Sequence, residues 1–273
     1  VEMSGGSAGN TMAGLASLGA RGAFIGKVCD DQLGRVFAHD LKAMGVDFST
    51  AMSAQGSEPT GRCLILVTPD AERTMNTYLG AATGLTADDI DEAQITSAQV
   101  TYMEGYLWDR DGAKEAFLKA TGVAHTAGRK VSLSLSDSFC VGRWRDEFLD
   151  LAENQVDILF ANEEEITSLY QVDNFDDALQ QVRGHCEIAA LTRSDKGAVI
   201  VSGDEVHIID AVPVARVVDS TGAGDLFASG FLHGVTNGFD LAGAGRLGAI
   251  SAAEIISHFG ARPETVLSKL IAG

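Results

Sequence analysis

The sequence predicts an α/β fold: a three-layer α/β/α domain with a mostly parallel central sheet and a small β lid. Three observations carry this. Apolar runs rich in Val, Ile and Leu recur at strand length, amphipathic stretches of helical period separate the earlier ones, and one pair of extended segments around a turn breaks that rhythm. With 273 residues, 45% of them hydrophobic, the chain can bury a large core as a single domain over 1–273.

In chain order, the strand-length runs are 23–28, 100–103, 131–135, 156–160, 188–192, 198–201 and 206–209. Helical patterns fall at 32–44, 113–122 and 144–153. Segments 60–68 and 74–79 flank Pro69-Asp70-Ala71-Glu72-Arg73 and read as a hairpin, the body of a lid spanning 59–82. From 222 to 272 the pattern is helical, with breaks at Asn237-Gly238 and 260–263. At the other end, Val1-Glu2-Met3-Ser4-Gly5-Gly6 leads directly into a helical pattern, so the reading is of a domain lacking its N-terminal strand.

Charge narrows the partners. Twenty basic against 38 acidic residues give a net charge of −18, with no Lys/Arg run, which argues against nucleic-acid or membrane binding. Cys29, Cys63, Cys140 and Cys186 lie far apart without CxxC spacing, as reduced thiols of a cytoplasmic protein would. No stretch reaches the roughly 20 apolar residues of a membrane span.

Glycine motifs are separated by context. Gly243-Ala-Gly245-Arg-Leu-Gly248 matches a dinucleotide fingerprint in letters but sits in a helical pattern with no preceding strand, so close helix packing is its expected role. Gly22 to Lys27 is one residue short of a P-loop and continues with Val28 where a hydroxyl is needed. Asp219-Ser220-Thr221-Gly222-Ala223-Gly224-Asp225 instead opens a helix after an extended segment at 212–218. Its glycines would leave helix N-terminal amides open to a phosphate, with Asp225 beside them as a proton acceptor. A cap from Ser220 or Thr221, with Asp225 complementing the helix dipole, explains the same residues equally well. Asn162 and Glu165 have the spacing of a capping box, and equally of a pair able to organise a hydrated Mg²⁺; the residues alone favour the cap. Gly5-Gly6-Ser7-Ala8-Gly9-Asn10 precedes a helix and by itself says little.

Taken together, Gly5-Gly6-Ser7…Asn10, Gly26-Lys27-Val28…Asp31…Gly34, Asn162…Glu165 and Asp219 to Asp225 resemble, in order and spacing, the ribokinase-like (pfkB) family of sugar and nucleoside kinases. The resemblance implies Asp225 as general base, the amides of Gly222, Ala223 and Gly224 as an anion hole, and Asn162 with Glu165 supporting Mg²⁺ and phosphates. It implies Thr192, Ser194 and Gly197 at the ATP-binding turn and Asp219 with Thr221 at a monovalent cation such as K⁺. Within the family the chain looks most like adenosine kinases. On that likeness Gly5, Gly6 and Asn10 hold the ribose, Phe139 flanks the base and Arg73 faces phosphate from the lid. The implied reaction is ATP-dependent phosphorylation of the adenosine 5′-hydroxyl by a monomer or homodimer; a sugar kinase and a non-catalytic nucleoside-binding member are the alternatives. Members of the family open with a strand whose Asp grips substrate hydroxyls, and this chain is read as a fragment without it.

Overall fold

The computed structural model describes residues 1–271. Its helices are α1 (Ser7–Ser17), α2 (Gln32–Ala43), α3 (Glu92–Ser97), α4 (Asp111–Thr126), α5 (Ser138–Arg143), α6 (Arg145–Asn154), α7 (Glu163–Tyr170), α8 (Phe175–Val182), α9 (Ala223–Thr236), α10 (Leu241–Ile255) and α11 (Leu267–Leu270). Its strands are β1 (Thr60–Val67), β2 (Arg73–Gly80), β3 (Val100–Glu104), β4 (Lys130–Ser134), β5 (Ile158–Asn162), β6 (Ile188–Thr192), β7 (Ala198–Ser202) and β8 (Glu205–Ile209).

Strands β3 to β8 form one sheet in sequence order, parallel from β3 through β6 and antiparallel at β7 and β8. The side-chain period of two sorts the strand residues onto two cores. Leu133, Leu159, Ala161 and Leu191 pack with Ala116, Phe148, Ile166 and Leu169 of α4, α6 and α7 on one face. Ile158, Phe160, Ala190 and Ile200 pack with Phe227, Phe231 and Ala244 of α9 and α10 on the other. Both faces are therefore covered, which is why these strands read as continuous apolar runs. Glycines allow α9 and α10 to lie close: a Cβ on Gly230 would fall 2.4 Å from the Leu247 carbonyl, and one on Gly248 would fall 2.9 Å from that of Phe227. Gly243, Gly245 and Gly248 all lie inside α10, as expected of a packing motif.

The lid is the antiparallel pair β1–β2, registered from Thr60↔Gly80 to Val67↔Arg73. Asp31 ties its base to the body. Its carboxylate caps α2 at the Gly34 N–H (2.8 Å) and accepts from the Thr60 N–H (2.8 Å) and hydroxyl (2.7 Å). Burial opposes ionisation of Asp31, but these bonds outweigh it and hold its pKa below the usual value.

Two sequence expectations are corrected. Segment 23–28 makes only an isolated bridge, Ala23↔Asp47, with a second, Cys29↔Ser53, just past its end. Its apolar residues serve a satellite cluster instead, where Phe24 meets Phe37 and Phe48 edge-on and Val28 joins Leu41. Segment 212–218 leads into the Asp219 motif outside the sheet, with a bend at Ala215 and the Val218 N–H donating to the Ile256 carbonyl (2.8 Å). The C-terminal third is not continuously helical, because 256–266 is irregular; the expectation ran to 272, outside the described residues. No helix among the described residues is long and apolar enough to cross a membrane.

Candidate active site

The site lies where parallel α/β sheets place ligands, at the carboxyl ends of the strands. Glu104 ends β3, and Asn162 and Thr192 end β5 and β6 as register partners. The N-termini of α1 and α9 face this edge, α1 packing against both β3 and α9.

The start of α9 has the form of an anion hole. Gly222 is its N-cap at φ 83°, ψ 0°, a left-handed conformation suited to glycine, and no side chain caps the helix. Thr221 turns away, giving both its hydroxyl (2.6 Å) and its N–H (2.9 Å) to Asp219 Oδ1. Ser220 is taken by the lid: Arg73 Nη1 donates to its Oγ at 2.6 Å, and Oγ in turn reaches the Ala71 carbonyl at 3.4 Å. The simple helix cap that the sequence also allowed is thus not made. Among the described residues the N–H groups of Gly222 and Gly224 have no partner, whereas that of Ala223 donates to the Ser220 carbonyl at 3.3 Å. Two of the three expected amides are open.

Asp225 stands in the first turn of α9. Its two oxygens accept from Ser7 Oγ and Asn10 Nδ2, each at 2.8 Å, so the glycine motif before α1 and the motif before α9 converge on one carboxylate. Burial raises its pKa; the bonds from Asn10 and Ser7 and the charges of Arg73 and Arg262 oppose that rise. A carboxylate made more basic by burial yet still held as an acceptor suits proton removal from an alcohol. Gly6, at φ 86°, leaves open space around it, as does Gly5.

Asn162 and Glu165 make the full capping box of α7. Glu165 Oε2 accepts the Asn162 N–H (3.0 Å), Oε1 accepts Asn162 Nδ2 (2.7 Å), and Asn162 Oδ1 accepts the Glu165 N–H (2.8 Å). Burial pushes the Glu165 carboxyl up to about 7. Each Glu165 oxygen thus already accepts one hydrogen bond, and among the described residues no cluster of three or more His, Cys, Asp or Glu could hold a metal ion. Thr192, Ser194 and Gly197 form the β6–β7 turn, with Ser194 at φ 53° and Gly197 at φ 81°. A Cβ at Gly197 would lie 2.0 Å from the Ile209 carbonyl. Arg193 leaves this turn for Glu163 (Nε–Oε2 3.1 Å) and the Phe175 ring.

Asp219 is 3% exposed and its Oδ2 accepts the Gly260 N–H at 2.9 Å. Burial resists its ionisation, but bonds from Thr221 and Gly260 prevail and keep its pKa low, leaving a buried anion. Phe139 is 81% exposed in the first turn of α5, where Asp137 caps the helix, so its ring belongs to no core. Lys27, in the Gly26-Lys27 motif, is paired with Asp89 away from this edge.

Two residues escaped the sequence reading. Glu104 Oε2 accepts the Ala8 N–H at 2.7 Å, and burial, with Asp225 adding to it, pushes this carboxyl up to about 7. An acidic residue closing an apolar strand was the available signal. Arg262 sits in the irregular 256–266 segment and had no local signal.

The chain matches the pfkB family carbohydrate kinases over residues 1–266. The chain belongs to the pfkB carbohydrate kinase family. It is a phosphotransferase that binds ATP and a small-molecule alcohol acceptor. The kinase is 27% identical to a 5-dehydro-2-deoxygluconokinase of Geobacillus thermodenitrificans over 93% of its length and 78% of the relative's. Among solved structures it resembles a probable sugar kinase of Rhizobium etli (50% identity, TM-score 0.98, covering 100% of this chain and 82% of that one). It equally resembles an adenosine kinase of Sinorhizobium meliloti (48% identity, TM-score 0.97, covering 100% and 83%). An E. coli putative ribokinase II in complex with ATP and Mg²⁺ shares the fold (22% identity, TM-score 0.88, covering 98% and 88%).

Proposed function

We propose that the kinase transfers the γ-phosphoryl group of ATP to the 5′-hydroxyl of adenosine. The observation that carries this reading is Phe139, an aromatic ring 81% exposed at the start of α5 on the strand-end side of the sheet. A purine requires a flat apolar face to stack on, and a sugar alone does not. The likeness to the Sinorhizobium meliloti adenosine kinase supports it.

In this reading Asn10, with Gly5 and Gly6, orients the ribose and Asp225 removes the proton from the attacking hydroxyl. The open amides of Gly222 and Gly224 receive the developing charge, and Arg73 reaches the same loop from the lid. Thr192, Ser194 and Gly197 hold the nucleotide. Asn162 and Glu165 would hold a hydrated Mg²⁺, which when bound would supply charge neutralisation on the phosphates. Asp219, a buried anion without an ion-pair partner among the described residues, is suited with Thr221 to a neighbouring monovalent cation.

A second reading, a sugar kinase, is favoured by several curated relatives named 5-dehydro-2-deoxygluconokinase. An ATP panel with adenosine, ribose, fructose and 5-dehydro-2-deoxygluconate separates the two. Turnover of adenosine well above the sugars is expected; efficient phosphorylation of a sugar with none of adenosine overturns the first reading.

A further inference from the structure

Asp225 is positioned by Ser7 and Asn10, so the placement of the Ser4–Gly6 lead-in and the first turn of α1 sets the geometry of proton removal. The lead-in contains Gly5 and Gly6, has no strand pairing, and enters α1 at Gly6 without a side-chain cap. Much of it comes from one distant side chain. Arg262 Nε donates to the Ser4 carbonyl (2.7 Å) and Nη1 to the Gly9 carbonyl (2.6 Å), spanning the two glycines with a single rigid guanidinium.

The backbone around Arg262 reaches the other half of the site. The Gly260 N–H holds Asp219 at the entrance to the anion hole, and the Cβ and Cα of Ala261 lie where a Cβ on Gly222 would be crowded, at 3.0 and 3.2 Å. The Ala261 N–H also meets Met3 Sδ at 3.2 Å. Behind it, Glu254 Oε1 accepts the N–H groups of Glu264 (3.0 Å) and Thr265 (2.6 Å), anchoring the segment on α10. Pro263 restricts Arg262 to extended backbone. One short segment therefore touches the start of α1 and the anion hole together.

Two polar atoms here are buried without partners: Arg262 Nη2 and Asn10 Oδ1. Nη2 lies 3.3 Å from where a Cβ on Gly9 would sit, beside Asn10 in sequence, so Gly9 leaves the room this guanidinium occupies. Burial lowers the Arg262 pKa only to about 10, leaving it a cation at neutral pH. A charged donor kept buried with one arm free exceeds what a plain staple needs.

We infer that Arg262 is a positioning residue of the phosphoryl transfer, clamping the Ser4–Gly6 lead-in to the first turn of α1 so that Asn10 and Ser7 align Asp225 with the acceptor hydroxyl. The inference rests on Asp225 acting as the base and is independent of which acceptor is used. A displacement of about 1 Å of such a helix start can cost on the order of 10²-fold in rate.

The test uses Arg262→Ala and Arg262→Lys, with adenosine as acceptor, or the sugar that turns over if adenosine does not. Steady-state kinetics are combined with calorimetric binding of a non-hydrolysable ATP analogue with Mg²⁺. For Arg262→Ala the expected result is a loss of about 10²-fold in acceptor kcat/KM with analogue affinity within about twofold of the unchanged protein, and partial recovery on adding ethylguanidinium. Arg262→Lys, which keeps the charge and one donor, should fall between and serves alone if the alanine variant does not fold. Unaltered acceptor kcat/KM overturns the inference. So does a parallel loss of nucleotide and acceptor binding that ethylguanidinium leaves unrepaired, since that is the signature of a structural staple. Failure of the base assignment shows separately, as near-normal turnover in Asp225→Asn.

Discussion

At the scale of single residues, the proposed chemistry concentrates on Asp225 and the neighbours that tune it. Asp225→Asn keeps the side-chain shape, turns one of the two acceptor positions into a donor and removes the base, so kcat should fall by about 10²–10⁴-fold while nucleotide affinity in a binding assay is nearly unchanged. Asn10→Ala removes one of the two bonds that favour the Asp225 anion. Its pKa then rises further, and the acid limb of the kcat/KM profile should move to higher pH; a limb that stays put or moves lower contradicts the assignment. Glu104 offers a stability measurement. Its folded pKa of about 7 exceeds the ordinary 4.5, so between those values the folded state binds more protons than the unfolded, and stability falls as pH rises through that window. Glu104→Gln retains an acceptor for the Ala8 N–H and removes the charge. At pH 8 it should stabilise by ~1–3 kcal/mol, shrinking towards zero near pH 4.5 in thermal melts.

At the scale of elements, the α1–α9 contact and the lid matter most. Gly14 of α1 lies against α9, and a Cβ there would come within 2.2 Å of Ser229 Oγ and 2.6 Å of Leu226 Cδ1. Gly14→Ala should therefore cost about 1–3 kcal/mol by overpacking and also lower kcat, because pushing α1 away carries Ser7 and Asn10 off Asp225. A variant that loses stability with full kcat would show that the two helices do not share this duty. In the lid, Arg73 makes its bond to Ser220 across 147 residues of sequence. Arg73→Ala should raise acceptor KM several-fold and increase proteolytic cleavage at the β1–β2 turn, both following from a less closed lid.

At the scale of the whole molecule, a net charge of −18 meets a polyanionic co-substrate, so only local donors can attract it. The sheet, its two cores and the hairpin were legible in the sequence, because burial on both faces writes itself as continuous apolar runs such as 188–192 and because hairpin and lid residues are contiguous. Segment 23–28 misled for the same reason: apolar composition reports burial, and Val28 is buried and Phe24 partly buried against α2 without a sheet. The residues of Asp219 to Asp225 were legible as a motif, yet their neighbourhood was not. Whether Ser220 or Thr221 would cap α9, or leave its amides open, depended on the lid and on Asp219 claiming those hydroxyls. Arg262 could not be found at all, since its partners are the carbonyls of Ser4 and Gly9, more than 250 positions away, and a carbonyl carries no sequence signature. By itself the sequence determined the layered fold and the local motifs, which are set by periodicity and by residue type over a few positions. Only the tertiary structure decided that Ser7, Asn10, Glu104, Arg73 and Arg262 surround one carboxylate, because long-range contacts depend on how the sheet and helices bring distant segments to the same strand ends.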